Sequence, residues 1–248
     1  MALDKKEIIE YIINGNKNDP DPVTQDDEFV FVDFTSFCSN ACLYCQRSKN
    51  NWDLPRARMT KEEIVEAFKE GYASGKRRFF LYGGVDLYFY NERLTDVVKS
   101  IKTEYPDCDL YVAFGEKVYE DYQAIKDAGA DGFALFHRSA NEAHFAKLHT
   151  YEQYPDFRKK VQPFLREMGF KIGTGITIGW PYQTAEILAE DILYVEETKP
   201  DLIVVDTFVP QKGSDLESFP PGDKKQQKNV IKLVKKLLPD AIILTDLY

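Results

Sequence analysis

Three cysteines fall within eight residues, Cys38, Cys42 and Cys45 in CSNACLYC, in a chain of 248 residues that holds only four. Closely spaced soft thiolates bind iron–sulfur clusters or zinc. A structural zinc site asks for a fourth protein ligand nearby, and the first histidine of the chain, His137, is distant in sequence. Three thiolates leave one iron of a four-iron cluster open, which a catalytic cluster needs and an electron carrier avoids. Three free thiols, or a zinc ion completed by a distant residue, are the other readings of this spacing. The fourth cysteine, Cys108 in YPDCDLY, stands just before a predicted strand and reads as a structural thiol.

The thiols follow the apolar run FVFVDF (29–34), which begins a regular alternation. Further strands are predicted over 78–84, 109–115, 131–137, 170–179, 201–210 and 241–245, and helices over 60–75, 92–105, 120–130, 157–169, 184–199 and 224–238. The helix at 60–75 carries a capping box, Thr60 with Glu63 three residues on. The strands are short continuous apolar runs, as in a parallel sheet buried on both faces. Strict βα alternation favours a parallel α/β barrel, or an open doubly wound sheet. The expected fold is a partial (βα) barrel of about six to seven parallel strands, resembling an incomplete TIM barrel. The cysteines then occupy the first βα loop, at the end of the barrel where chemistry sits. Residues 1–27 read as an N-terminal helix and linker, and 28–248 as the barrel. The sequence given stops after the seventh predicted strand, so either the barrel is partial or a partner or second copy closes it.

Net charge is −9, which argues against nucleic acid or an anionic membrane as the main partner. No apolar run of 18 residues occurs, and the N-terminus lacks a signal peptide's apolar core. A cytoplasmic protein is the expectation, and four cysteines there do not suggest a disulfide framework.

C-x3-C-x2-C with Tyr44 before the last cysteine, directly after the first strand of a βα barrel, resembles the radical S-adenosylmethionine (radical SAM) superfamily. The resemblance spans roughly residues 30–245. It is nearest the group of biotin synthase, methylornithine synthase and the [FeFe]-hydrogenase maturase similar to them, through CSNACLYCQRSKNN, RMTKEEIVEAF, YGGVDLY, KDAGADGFAL, HRSANEAHFAKLH, REMGFKIGTGITIGWPYQT and TFVPQKGSDL. It implies that Cys38, Cys42 and Cys45 bind a [4Fe–4S] cluster whose open iron takes SAM. The reduced cluster would cleave SAM to methionine and a 5′-deoxyadenosyl radical, which takes hydrogen from a small amino-acid-like or cofactor-precursor substrate. An electron donor of flavodoxin or ferredoxin type is implied too.

Residue by residue, the resemblance places Tyr44 by the adenine and Gly83 and Gly84 by the SAM amino group. Arg158 would pair with the SAM carboxylate, and Gly175, Ile176, Ile178 and Gly179 would line the adenine. On their own these residues also read as a tight turn, a solvated helix-start charge and a buried strand. Two positions depart from the pattern. Val85, followed by Asp86, replaces an acidic residue, and Arg138 replaces a glutamate that touches SAM in the maturase. His137 reads as packing or as a residue of the barrel mouth. Phe37, Phe89, Phe114, Phe136 and Phe208 are candidates for an aromatic cage, or for ordinary core. No catalytic side chain is assigned. The alternative function is a degenerate, non-catalytic iron–sulfur scaffold or maturation partner with weakened SAM binding.

Overall fold

Side-chain alternation along seven strands sets the architecture. The computed structural model describes residues 3–90, 92–150, 155–245 and 247. The strands are β1 (Phe29–Asp33), β2 (Arg78–Tyr82), β3 (Asp109–Ala113), β4 (Gly132–Ala134), β5 (Lys171–Ile178), β6 (Leu202–Thr207) and β7 (Ile242–Leu244). They form one parallel sheet in the order β1-β2-β3-β4-β5-β6-β7, an open half-barrel. The predicted partial barrel is therefore what is found. Each predicted strand is longer than the paired segment, because its last residues peel away into the loops that build the site.

Successive residues point to opposite faces of a strand. Phe29, Phe80, Tyr111, Ala134, Val204 and Leu244 share an inner cluster. Their neighbours Val32, Phe79, Leu81, Leu110, Val112 and Phe133 pack outward with the helices. On β5 the alternation is unusual. A Cβ on Gly173 would lie 2.7 Å from Ala134 Cβ, and one on Gly175 would lie 2.6 Å from the Phe136 ring. Glycine leaves the inner surface of β5 low, and the ring of Phe136 fills that space.

The helices are α1 (Lys5–Asn14), α2 (Lys61–Ala67), α3 (Lys69–Ala73), α4 (Glu92–Glu104), α5 (Tyr119–Asp127), α6 (Glu142–Leu148), α7 (Pro155–Glu167), α8 (Ala185–Thr198) and α9 (Lys224–Leu237). The capping box at Thr60 is present: Glu63 N–H donates to Thr60 Oγ1 at 3.2 Å and Thr60 N–H to Glu63 Oε2 at 2.7 Å. The single helix expected over 60–75 is interrupted at Phe68, whose ring stacks on Phe79 at 4.3 Å. Ile8 and Ile12 of α1 join the core shared with α8 and α9.

The two edge strands are tied together by the chain leading into β1. Gln25 N–H donates to Ile243 O at 2.9 Å, and its side-chain oxygen accepts Ile243 N–H at 2.8 Å. Asp26 accepts Thr245 N–H at 2.7 Å and Thr245 Oγ1–H at 3.1 Å. The edge amides of Ile243 and Thr245 are thus satisfied from within the chain. No helix among the described residues is long and apolar enough to cross a membrane.

Candidate cofactor-binding site

The loop after β1 holds the thiols through contacts that arrive from distant parts of the chain. Leu43 N–H donates to Leu148 O at 3.0 Å, and Leu216 N–H to Leu43 O at 3.1 Å. The loop is therefore laced between α6 and the segment after β6. Arg56 ties its flanks, donating to the carbonyls of Ser36 (2.6 Å), Arg47 (2.9 Å), Ser48 (2.7 Å) and Asn51 (3.0 Å).

Cys38, Cys42 and Cys45 line one cavity of ≈ 100 Å³ together with Gly84, Glu116 and Arg158. Among the described residues, no three His, Cys, Asp or Glu side chains close on a point as a single ion requires. Thiols spread around a void suit a polynuclear group better than one zinc ion. Val85 N–H donates to Cys38 Sγ and Arg47 N–H to Cys45 Sγ, each at 3.4 Å. Such N–H···S contacts favour thiolate and tune a cluster. Burial pushes the Cys45 thiol up to about 11 and raises that of Cys38. Both are proton-bearing in the absence of metal, and metal binding displaces the proton.

Gly84 explains why the loop can sit there. A Cβ on it would lie 2.0 Å from Phe37 O and 2.9 Å from Cys38 Cβ. Gly83 is similarly enclosed, by the Phe34 ring at 2.8 Å and Thr35 Cγ2 at 2.9 Å. These glycines serve the approach of the cysteine loop to β2. Asp86, the acidic residue beyond Val85, is taken up structurally. Arg58 grips it at 2.6 and 2.8 Å and Thr35 Oγ1–H donates to it at 2.7 Å. Burial resists its ionisation, but Arg58 and Thr35 hold the carboxyl below the usual range.

Arg158 sits in the same cavity, buried and anchored on two sides. Its Nε pairs with Glu116, and its Nη1 donates to Phe136 O at 2.9 Å. Burial works against both charges, yet their attraction holds Glu116 below its ordinary pKa and Arg158 above. The sequence reading missed Glu116, whose partner is 42 residues away. Only its position after the third strand could have flagged it.

Tyr44 packs on Trp180 at 4.6 Å and edge-on to His149 at 5.4 Å, with its hydroxyl 3.4 Å from His149 Nε2. It separates the thiol cavity from a second one of ≈ 290 Å³, which reaches Asp33, Tyr82, Thr177 and Asp206. Arg138 lines both, its guanidinium 5.4 Å from the Tyr44 ring and 4.9 Å from that of Phe136. Trp180 lines the larger cavity, and its buried indole N–H has no hydrogen-bond partner among the described residues. A bound molecule rich in acceptors would satisfy it. Thiol donors, the glycine-cut approach and this orphaned N–H together fit a cluster with SAM beside it.

One side-chain expectation is not met, and two readings that the sequence left open are decided. Ile176 and Ile178 lie in the outer core with Ile8, Leu188 and Ile192, so their side chains pack helices rather than a ligand in the barrel. Period-two alternation sends Gly175 and Thr177 inward instead. His137 faces away from the mouth: it is buried, with Nδ1 3.0 Å from Thr174 Oγ1 and Nε2 3.4 Å from Asp191. Phe89 and Phe114 pack edge-on against Phe34 in the outer core, at 4.9 and 5.7 Å. Phe37 lies under the Arg58 guanidinium at 4.2 Å. Only Phe136 and Phe208 of that aromatic set line the two cavities. Cys108 is buried in the outer core at the start of β3, as a structural thiol should be.

Comparison with known proteins adds four findings. The model of the radical SAM superfamily matches residues 32–195. The [FeFe] hydrogenase maturase subunit HydE of Thermotoga maritima is 32% identical over 214 residues, which cover 86% of this chain and 61% of HydE. The 3-methylornithine synthase of Methanosarcina acetivorans is 27% identical, over 86% of this chain and 60% of that enzyme. The chain thus spans about three fifths of the length of these curated relatives. A crystal structure of methylornithine synthase superposes with a TM-score of 0.80 at 24% identity, covering 96% of this chain and 68% of that one. That likeness concerns the fold.

Proposed function

This chain belongs to the radical SAM superfamily, and on that premise we propose that it is an enzyme in which Cys38, Cys42 and Cys45 hold a [4Fe–4S] cluster and the barrel mouth holds SAM against it. When bound and reduced, the cluster supplies the electron that splits SAM into methionine and a 5′-deoxyadenosyl radical able to take hydrogen from substrate. The observation that carries the reading is that three thiols, Gly84 and Arg158 line one cavity.

The chain's own residues have separable tasks. Three cysteines would leave one iron of such a cluster without a protein ligand and open to SAM. Gly84 lets the loop lie against the end of β2. Arg158 is fixed by Glu116 and the Phe136 carbonyl, so its guanidinium is pre-oriented for the SAM carboxylate, a planar match. Tyr44 and Trp180 form an apolar wall for the adenine, and Gly175 on β5 leaves room for the Phe136 ring that lines the thiol cavity. Ile176 and Ile178 can contribute only main chain to that wall. Beneath, Phe80 and Tyr111 fill the barrel floor and exclude water from the reacting centre. The substrate is a small amino-acid-like or cofactor-precursor molecule, and a flavodoxin- or ferredoxin-type donor delivers the electron.

A non-catalytic scaffold is the second reading. It is favoured by Val85, by Arg138 in place of an acidic SAM contact, and by the commitment of Asp86 to Arg58. Anaerobic reconstitution followed by SAM and dithionite separates the two. The enzyme reading expects 5′-deoxyadenosine by chromatography, lost in Cys42→Ala. Protein that binds four irons per chain yet forms no deoxyadenosine supports the scaffold.

A further inference from the structure

Strand β4 ends at Ala134, and the turn that follows it is clamped by two helices. From α7, Arg158 Nη1 donates to Phe136 O at 2.9 Å and Gln162 Nε2 to Leu135 O at 3.2 Å. Arg158 and Gln162 are one helical turn apart, so both side chains leave α7 on one face. From α8, Asp191 Oδ1 accepts Ala140 N–H at 2.6 Å and Glu190 Oε2 accepts from Asn141 Nδ2 at 2.9 Å. Between these ties Arg138 adopts φ 68°, a left-handed conformation that a non-glycine residue keeps only where its surroundings enforce it.

The centre of the clamp is a buried pair, His137 and Asp191, whose side chains are each 1% exposed. Gln162 Nε2 also donates to Thr174 Oγ1 at 3.4 Å, which leaves the Thr174 hydroxyl proton for His137 Nδ1 at 3.0 Å. The imidazole then carries its own proton on Nε2, the nitrogen 3.4 Å from Asp191 Oδ1. Among the described residues, neither His137 Nε2 nor Asp191 Oδ2 has a hydrogen-bond partner, and Asp191 pairs with no lysine or arginine. The carboxylate is answered by the imidazole and the Ala140 amide. A buried carboxylate so placed costs stability, and what it secures is the course of residues 136–140.

Arg158 is the residue this course serves. Its Nε–H is taken by Glu116 and one Nη1–H by Phe136 O, which leaves both Nη2 N–H groups for the SAM carboxylate. The Phe136 carbonyl can hold the guanidinium only while the next residue, His137, stays anchored. We propose that Asp191 and His137 are positioning residues for SAM binding: they fix the turn after β4 so that the Phe136 carbonyl aims Arg158 at the SAM carboxylate. The proposal rests on the radical SAM reading, in which Arg158 meets that carboxylate, and adds the residues that aim it. Neither Asp191 nor His137 lines the thiol cavity or the larger one, so both act through Arg158 and not on the ligand itself.

The test uses reconstituted, unreduced protein and calorimetric titration with SAM and with decarboxylated SAM, which lacks only the carboxylate. Asp191→Ala is expected to weaken SAM binding about ten-fold, as removing a group that orients a ligand's partner typically does, and to leave binding of the decarboxylated analogue unchanged. Asp191→Asn keeps an acceptor for the Ala140 N–H and should recover most of the loss. In an Arg158→Gln background, Asp191→Ala should cost nothing further, because both changes remove the same contact. A general loosening of the fold would weaken the two ligands alike, so equal losses overturn the proposal, as do additive losses in the double variant. His137→Leu breaks the pair from the β4 side and carries the same expectation, which keeps the test available if Asp191→Ala does not fold. Iron content is measured on the same samples. SAM binding that is unchanged in Arg158→Gln sinks the assignment of Arg158 to SAM. SAM binding that is weakened in Arg158→Gln but unchanged in Asp191→Ala and His137→Leu sinks the positioning role alone.

Discussion

A single methyl group at residue 84 tests how the cluster loop is seated. The added Cβ would meet a main-chain oxygen, Phe37 O, at 2.0 Å, and main chain cannot rotate aside. Gly84→Ala should destabilise the metal-free protein by about 2–3 kcal/mol, as overpacking typically does, and should lower iron retained per chain. A urea titration and an iron assay check both; unchanged iron content would mean the close approach is dispensable. Asp86 gives a pH test. Its folded-state pKa is lowered, so its contribution to stability is complete above the ordinary carboxylate range and fades as pH falls through the folded value. Asp86→Asn should therefore cost about 2 kcal/mol at neutral pH, with the gap to the parent protein closing in acid. Equal gaps at pH 7 and pH 3 in urea midpoints would count against the Arg58–Asp86 pair. The three cysteines were legible because their information is local. Glu116, Trp180 and Asp206 were not, because each acquires meaning only from neighbours that the fold brings from other strands.

At the scale of elements, the alternation of strands and helices was readable and the inward face was less so. Ile176 and Ile178 were assigned to the ligand on motif grounds, whereas β5 alternation turns them to the helices. Helix α6 was missed outright, although Asn141 caps it (His144 N–H to Asn141 Oδ1, 2.9 Å) and Phe145 and Leu148 are three residues apart on its buried side. Seven residues give a weak periodic signal, and its stability comes from packing against the cysteine loop. That loop has no regular structure, so its rigidity depends on side chains. Arg56 alone binds four of its carbonyls. Arg56→Ala should speed cluster loss to an iron chelator by about ten-fold, an effect of roughly 1.4 kcal/mol. Arg56→Lys should recover part of this, since an ammonium offers three donors without the guanidinium's planar fork. Chelation rates followed by absorbance decide it; equal rates in all three proteins would remove Arg56 from the positioning of the loop.

The whole molecule is held at its seam by two side chains, Gln25 and Asp26, where a complete barrel would have further strands. Each satisfies an edge amide of β7 or of the residue just beyond it, at 2.8 and 2.7 Å. Leaving such an amide unpaired costs about 1–3 kcal/mol. A Gln25→Ala, Asp26→Ala double variant should therefore speed hydrogen exchange at Ile243 and Thr245 while Leu110 and Val112, central in the sheet, stay protected. The consequence reaches the site, because the chain after β7 returns to it. Leu247 packs in the inner cluster, borders the larger cavity and donates to Asp206. Loosening the seam frees that residue and, with it, the Asp206 carboxylate on the cavity wall. The cysteine loop is anchored elsewhere, on α6 and the segment after β6. Weakened SAM binding with full iron content is thus the expected signature of the double variant. Exchange that rises equally across all strands would show the seam to be a global support, with no separate link to the larger cavity.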